Sequence, residues 1–224
     1  MEFANEISRS RYYRNYFDFE TIIDAPGILF AASGTGAANA AAAPQTADQV
    51  GVTQHAAGTT TTGVAGWMSQ ANGIRLDHAG KHTKHEQAIR TGTALSDGTD
   101  TYTIRCGLLD SISAEPTDGV YFRYVHSANS GKWLCVTRAN GVETLVDSGV
   151  TVAVNTNYKL GVEVLGDATK AFFYINGIPV ASQTLTIPTG AGRETSFGGF
   201  ILKSAGTTSR EFYTDYSDTV VVFR

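Results

Sequence analysis

Residues 157–182, NYKLGVEVLGDATKAFFYINGIPVAS, constrain the fold more tightly than any other stretch of the chain. Leu160, Val162 and Val164 alternate with Lys159, Gly161 and Glu163, and a period of two is the pattern of a strand with one buried face. Gly166-Asp167 turns the chain and residues 170–175 return it. Asn176-Gly177 tolerates the positive φ angles of a type I′ turn, so residues 178–182 fold back as a third strand. The result is an antiparallel meander. Within it, Phe172-Phe173-Tyr174-Ile175 is apolar or aromatic on both phases, so the strand is either covered twice or meets another chain.

The same alternation recurs along the chain. Strands are expected at residues 17–23, 28–31, 64–68, 73–78, 86–91, 101–113, 120–126, 132–138, 142–147, 197–204 and 210–223, with turn signals at Asn72-Gly73, Asn129-Ser130-Gly131 and Asn140-Gly141. About a dozen strands at spacings of roughly 8–12 residues give a sandwich or barrel. A charged fraction of 17% and 24 glycines suit such a turn-rich, weakly charged protein. The length of 224 residues allows one large domain over residues 17–224. A net charge of −4 provides no basic surface for nucleic acid. No apolar run reaches the ~18 residues of a membrane span, and the first residues carry no apolar signal core. Cys106 and Cys135 read as small buried side chains; a disulfide would require their strands to be neighbours.

Two stretches stand apart. Residues 1–16 form an arm in which Arg9, Arg11 and Arg14 interleave with Tyr12, Tyr13 and Tyr16, residue types enriched at protein interfaces. The arm is either a partner-docking element or a terminus lying on its own domain. Residues 32–66 are mostly Ala, Gly, Thr and Gln, and read as a surface excursion or a segment ordered by a neighbouring subunit. Inside it, Gly34-Thr35-Gly36 after an apolar strand imitates a dinucleotide loop. Asn39 replaces the third glycine and Pro44 interrupts the supposed helix, so no dinucleotide is expected.

Candidate chemistry is sparse. Jelly-roll glycosidases carry two carboxylates at alternating positions of one strand, whereas the central strand here offers Glu163 alone, and Asp215 and Asp218 have the parity of opposite faces. No catalytic residue is assigned. His78, His82 and His85, with Asp77 and Glu86, are the densest metal-like group; Gly80 places them in a loop, where they read as solvated histidines able to give an interface a mild-acid response. No cofactor is expected. Tyr124, His126, Asn129 and Trp133 near a hairpin end have the composition of a sugar platform, although strand aromatics more often serve the core.

Residues 147–180, DSGVTV followed by TNYKLGVEV and KAFFYINGIPV, together with DGVYFRY at 118–124 and TSREFYTDY at 208–216, resemble the concanavalin A-like (laminin G-like) jelly roll. The version they look most similar to occurs in tailed-bacteriophage virion proteins: capsid decoration proteins, head fibres and tail appendages. The resemblance covers residues 17–224. It implies an all-β antiparallel jelly-roll sandwich; the missing carboxylate pair adds the expectation of no enzymatic activity, and the arm, which lies outside the resemblance, is expected to attach the sandwich to the major capsid protein or another virion protein. It further implies assembly in the host cytoplasm, a dimeric or trimeric state, and a surface for a host glycan. A lectin or receptor-binding module is the alternative, and a glycan hydrolase relying on Glu163 a third.

Overall fold

The computed structural model describes residues 11–20, 27–69, 73–78, 80, 82–126 and 128–223. It contains β1 (Arg11–Phe17), β2 (Ile28–Ser33), β3 (Ala38–Ala42), β4 (Val52–Ala56), β5 (Val64–Ser69), β6 (His82–Thr91), β7 (Tyr102–Leu109) and β8 (Gly119–Val125). A short 3₁₀ turn, Ala128–Gly131, leads into β9 (Lys132–Ala139), β10 (Val142–Thr151), β11 (Asn157–Val164), β12 (Ala171–Ile175), β13 (Ile178–Gln183), β14 (Ser196–Lys203) and β15 (Glu211–Phe223). One sheet has the order β13-β12-β11-β6-β15-β4-β3, with β1 also paired to β15; the other is β10-β9-β8-β7-β14-β5-β2. All ladders are antiparallel. The protein is a two-sheet jelly-roll sandwich.

The meander at β11–β13 folds as its alternation dictates. Leu160, Val162 and Val164 are buried between the sheets, as are Phe173 and Ile175 across the β11–β12 ladder. Asn176 and Gly177 have φ angles of 52° and 77°, and Asn140 and Gly141 of 53° and 77°, the signs a type I′ turn requires. Phe172 and Tyr174 take the other face. The Lys170 ammonium sits 4.9 Å from the centre of the Phe172 ring, so the chain itself partly covers this second aromatic face.

The inter-sheet core gathers Trp67, Trp133, Phe122, Phe173, Phe197 and Phe212. Edge-to-face packing places Trp133 6.3 Å from Phe122, 6.3 Å from Tyr124 and 5.7 Å from Tyr158. Cys106 and Cys135 are free and lie on opposite sides of Phe122 in the ladder β7-β8-β9. Two strand spacings, about 9–10 Å, exceed the reach of a disulfide, and burial pushes both thiols up.

The outer face of the second sheet is closed. Tyr121, Leu134 and Val136 form a small buried cluster there. Beside it an ionic ladder runs Arg105, Glu115, Arg123, Glu143, Arg138, with Arg123 3.2 Å from Glu115 and 2.9 Å from Glu143, and Arg138 2.8 Å from Glu143. On the corresponding face of the first sheet, among the described residues, Thr46, Asp48 and Gln49 come against the end at Ala88 and Asn157, and a groove beside it is open.

Three expectations change. The first strand is Arg11–Phe17, so the boundary drawn at residue 16 falls inside a strand of the domain; residues 21–23 lie outside the described part. Residues 32–66 are not an excursion but supply β3, β4 and the start of β5, because small side chains suffice where strands pack closely: Ala57 and Ala65 are fully buried. Residues 73–78 form no strand, only a single bridge from Ile74 to Thr195.

Because Trp133 is fully enclosed, Trp133→Ala should lower the unfolding free energy by about 3–5 kcal/mol. Urea denaturation of the variant checks this; a loss below about 1 kcal/mol would contradict the packing described.

Candidate functional site

The open face of the first sheet is organised by β6, whose outward side chains are Lys84, Glu86, Ala88 and Arg90. On one side they pair in register with Glu163, Gly161, Lys159 and Asn157 of β11, and on the other with Val220, Asp218, Tyr216 and Tyr213 of β15. A groove follows these rungs. Its larger part, about 450 Å³, is lined by Lys84, Glu86, Gly161, Glu163, Tyr174 and Asp218. A smaller recess of about 130 Å³ continues the same face at Ala88, Asn157, Lys159 and Asp215. From Lys84 to Arg90 the rungs span about 20 Å.

Gly161 is the floor. It does not have a positive φ, and a β-carbon there would meet its nearest atoms, Tyr174 Cβ and Glu86 Oε2, at 3.4 and 3.9 Å, ordinary van der Waals contact. The backbone and packing therefore tolerate a side chain, yet a strand-interior glycine costs about 0.5–1 kcal/mol. Its absence of side chain leaves the volume between Tyr174 and the opposite wall open, as expected where something approaches the backbone closely.

The walls are aromatic and the polar groups converge. Tyr216 donates a hydrogen bond to Glu86 Oε1 at 2.5 Å, and Tyr174 donates to Glu163 Oε2 at 3.3 Å. Burial, helped by these carboxylates, holds both phenols above the usual tyrosine range. Lys84 Nζ lies 3.0 Å from Glu163, and His82 Nδ1 3.7 Å from the same oxygen. Arg14 grips Asp218 with two bonds of 2.9 and 2.8 Å, and Tyr16 stacks on Tyr216 with centroids 6.1 Å apart. Burial raises Asp215, at the edge of the recess.

Sequence reasoning found Glu163 but not its neighbours. Glu86 and Asp218 stand across from one another on β6 and β15, with Glu163 diagonal to Glu86 on β11. Partners drawn from adjacent strands leave no signature along a single strand. The parity argument separating Asp215 from Asp218 also fails, because β15 has an irregularity between Thr214 and Tyr216. The extra residue brings Asp215 and Asp218 to the same face.

The other candidates disperse. Tyr124 and Trp133 are core residues, 2% and 0% exposed, so they make no sugar platform; His126 is half-buried beyond the end of β8, and the Asn129 side chain lies outside the described residues. His82 and His85 are on a strand rather than a loop, on opposite faces of it, and cannot share a metal ion. No group of three or more metal-ligating side chains occurs among the described residues. Of the proposed docking residues, Arg9 and the Arg11 side chain lie outside the described part. Tyr12, Arg14 and Tyr16 face the groove side of β1, and Tyr13 points the other way.

His85 instead bonds Thr219 Oγ1 at 2.9 Å and stacks on Phe197. His55 bonds Asn39 at 2.7 Å and Thr214 at 3.1 Å. Burial depresses them to about 4 and about 3 respectively. Both are neutral in the fold, so their stabilisation is complete above pH 6.5, where the unfolded chain is also neutral. It is lost as pH falls toward the folded values, at up to about 1.4 kcal/mol per pH unit for each histidine. Denaturation midpoints should therefore fall steadily between pH 6.5 and about 5.5, above the range where ordinary carboxylates titrate, and His85→Asn should reduce that slope. A flat profile would contradict the assignment.

The sandwich and its one open face define a concanavalin A-like β-sandwich. Residues 48–215 match the family described as SO2946-like, C-terminal domain, and the chain belongs to that family. No curated protein matches the sequence significantly. Among solved structures it is similar to SO2946, a protein of unknown function from Shewanella oneidensis MR-1, with 14% identity, 99% of this chain and 90% of that chain covered, and a TM-score of 0.69. An endo-1,3-β-glucanase from Streptomyces sioyaensis matches at 10% identity over 95% of this chain and 97% of its own, TM-score 0.60. The CBM2 module of the evolved Dit protein of Lactobacillus casei BL23 phage J-1 matches at 11% identity over 96% and 98%, TM-score 0.56.

Proposed function

We propose that this chain is a non-enzymatic, glycan-binding β-sandwich displayed on a virion. The observation that carries the binding function is the groove over Gly161, lined by Tyr174, Lys84, Glu86, Glu163 and Asp218, with Tyr216 reaching Glu86 from the β15 side. Tyrosine rings provide apolar faces for the C–H surface of a pyranose, and Glu86, Glu163 and Lys84 provide hydrogen-bond partners for its hydroxyls. The glucanase and the phage carbohydrate-binding module among the structural neighbours support a sugar as ligand, and the latter supports the virion setting.

Binding without cleavage is the chemistry the three carboxylates favour. Glu86, Glu163 and Asp218 each already accept hydrogen bonds from a cation or a phenol, and Asp215, raised by burial, lies in the recess rather than beside Glu163, whereas glycoside hydrolysis needs a proton-donating carboxyl paired with a second one across the bond. Attachment to the particle and self-association belong to other surfaces. Val142, Ile178 and Leu185 are 63%, 65% and 64% exposed along the edge where β10 and β13 meet, apolar surface suited to a second copy in a dimer or trimer, or to a neighbouring capsid or tail protein.

On a glycan array, wild-type protein should bind saturably and Gly161→Trp should lose at least ten-fold in affinity while keeping its melting temperature, since the new ring fills the groove rather than the core. Equal binding by the variant would refute the site. Incubation of wild type with any retained glycan should release no new reducing ends. Release abolished by Glu163→Gln would establish the hydrolase instead.

A further inference from the structure

We infer that β1 is the specificity wall of the groove, with Arg14 selecting the charge of the sugar and Tyr16 its stacked ring; the inference rests on the glycan-binding reading above. The outward side chains of β1 are Tyr12, Arg14 and Tyr16, and Tyr12 and Tyr16 are 71% and 52% exposed. On the opposite face, Phe17 is partly buried against Phe197, whereas Tyr12 and Tyr16 find no such cover among the described residues.

The charges across the groove are nearly balanced. Glu163 is paired with Lys84 and Asp218 with Arg14, while Glu86 receives the Tyr216 hydroxyl and has no salt bridge among the described residues. Asp218 lies directly opposite Glu86 in the β6–β15 ladder, where paired side chains have β-carbons about 5 Å apart. Without Arg14 this would be a pair of uncompensated carboxylates. With it, Glu86 alone stays without a cation among the described residues of the larger part, and in the recess Lys159 faces both Asp48 and Asp215, so the groove is net negative; it accepts neutral hexoses or protonated amino sugars and repels uronates.

Tyr16 widens the platform. Its ring stacks on that of Tyr216, with centroids 6.1 Å apart at an interplanar angle of 24°, so the exposed Tyr16 ring extends the aromatic contact beyond Tyr216. A pyranose resting on the Tyr16 ring presents its equatorial hydroxyls or an amino group toward Asp218 and Glu86, and an ammonium there gains a cation–π contribution of the kind Lys159 already makes to Tyr216, 5.8 Å from its ring centre.

Affinities of the full chain for three oligosaccharides of equal length, cello-oligosaccharide, chitosan oligosaccharide and oligoglucuronate, measured calorimetrically at low salt, test this directly. Wild type should bind the first two and take oligoglucuronate at least about ten-fold more weakly. Arg14→Gln should tighten chitosan oligosaccharide by about three- to ten-fold and weaken oligoglucuronate further, and Arg14→Lys should restore the wild-type order. Tyr16→Ala should weaken the neutral ligand by about two- to ten-fold. Both sites are exposed, and an exposed ion pair contributes little to stability, so the variants fold. If Gly161→Trp abolishes binding while the Arg14 and Tyr16 variants keep wild-type affinities and charge order, the wall assignment is overturned and the groove stands. If wild type retains none of the three sugars, the wall assignment and the glycan reading fall together.

Discussion

The backbone register of β6 against its two neighbours is the constraint on which the rest depends. In an antiparallel ladder a slip of one residue sends every side chain to the opposite face. The observed register sets Glu86 between Gly161 and Asp218 and Ala88 between Lys159 and Tyr216. A slip would bring His85 and Gln87 out to solvent and drive Lys84 and Glu86 into the core. Apolar burial of Ile89, Val162 and Val164 opposes it, so the same hydrophobic alternation that closes the core also assembles the polar groove.

The two faces of the sandwich are treated differently. On the second sheet, the loop carrying Glu115 folds over the surface, and the ladder of alternating arginine and glutamate ties β7 through β10 together. Side chains there satisfy one another. On the first sheet, aromatic and charged side chains line a groove that remains open to solvent, with a glycine at its floor that neither backbone nor packing demands. A purely structural sheet would gain stability from a β-branched residue at that position. The protein forgoes it, and the volume above the backbone there stays open.

Much of the architecture was readable in the sequence. The meander at β11–β13, its type I′ turn and the alternation of β8 followed from periodicity and turn chemistry, because these are local properties. The resemblance carried by residues 147–180 and 208–216 led to the jelly roll. What could not be read was long-range. β1 looked like an arm because its exposed face is basic and aromatic, and nothing local announces β15, some 200 residues away, as its partner. Residues 32–66 looked too poor in large side chains to order, although His55 and Thr53 are fully buried within them. The site suffered most. Glu163 was visible as an isolated carboxylate, while Glu86, Asp218 and Tyr216 join it only through cross-strand register, and the irregularity in β15 reversed the parity expected for Asp215. Trp133 and Tyr124 take the core role that strand aromatics more often have, and their composition near a hairpin end could not by itself say which side of the sheet a ring faces.

The central claim is that a sugar lies along β6 on the open face. Titration of isotopically labelled protein with a neutral gluco-oligosaccharide, followed by amide chemical-shift mapping, tests it most directly. The account predicts shifts concentrated at Glu86, Ala88, Gly161, Tyr174 and Tyr216. Shifts confined to the outer face of the β7–β10 sheet, or to loops remote from Gly161, would contradict it.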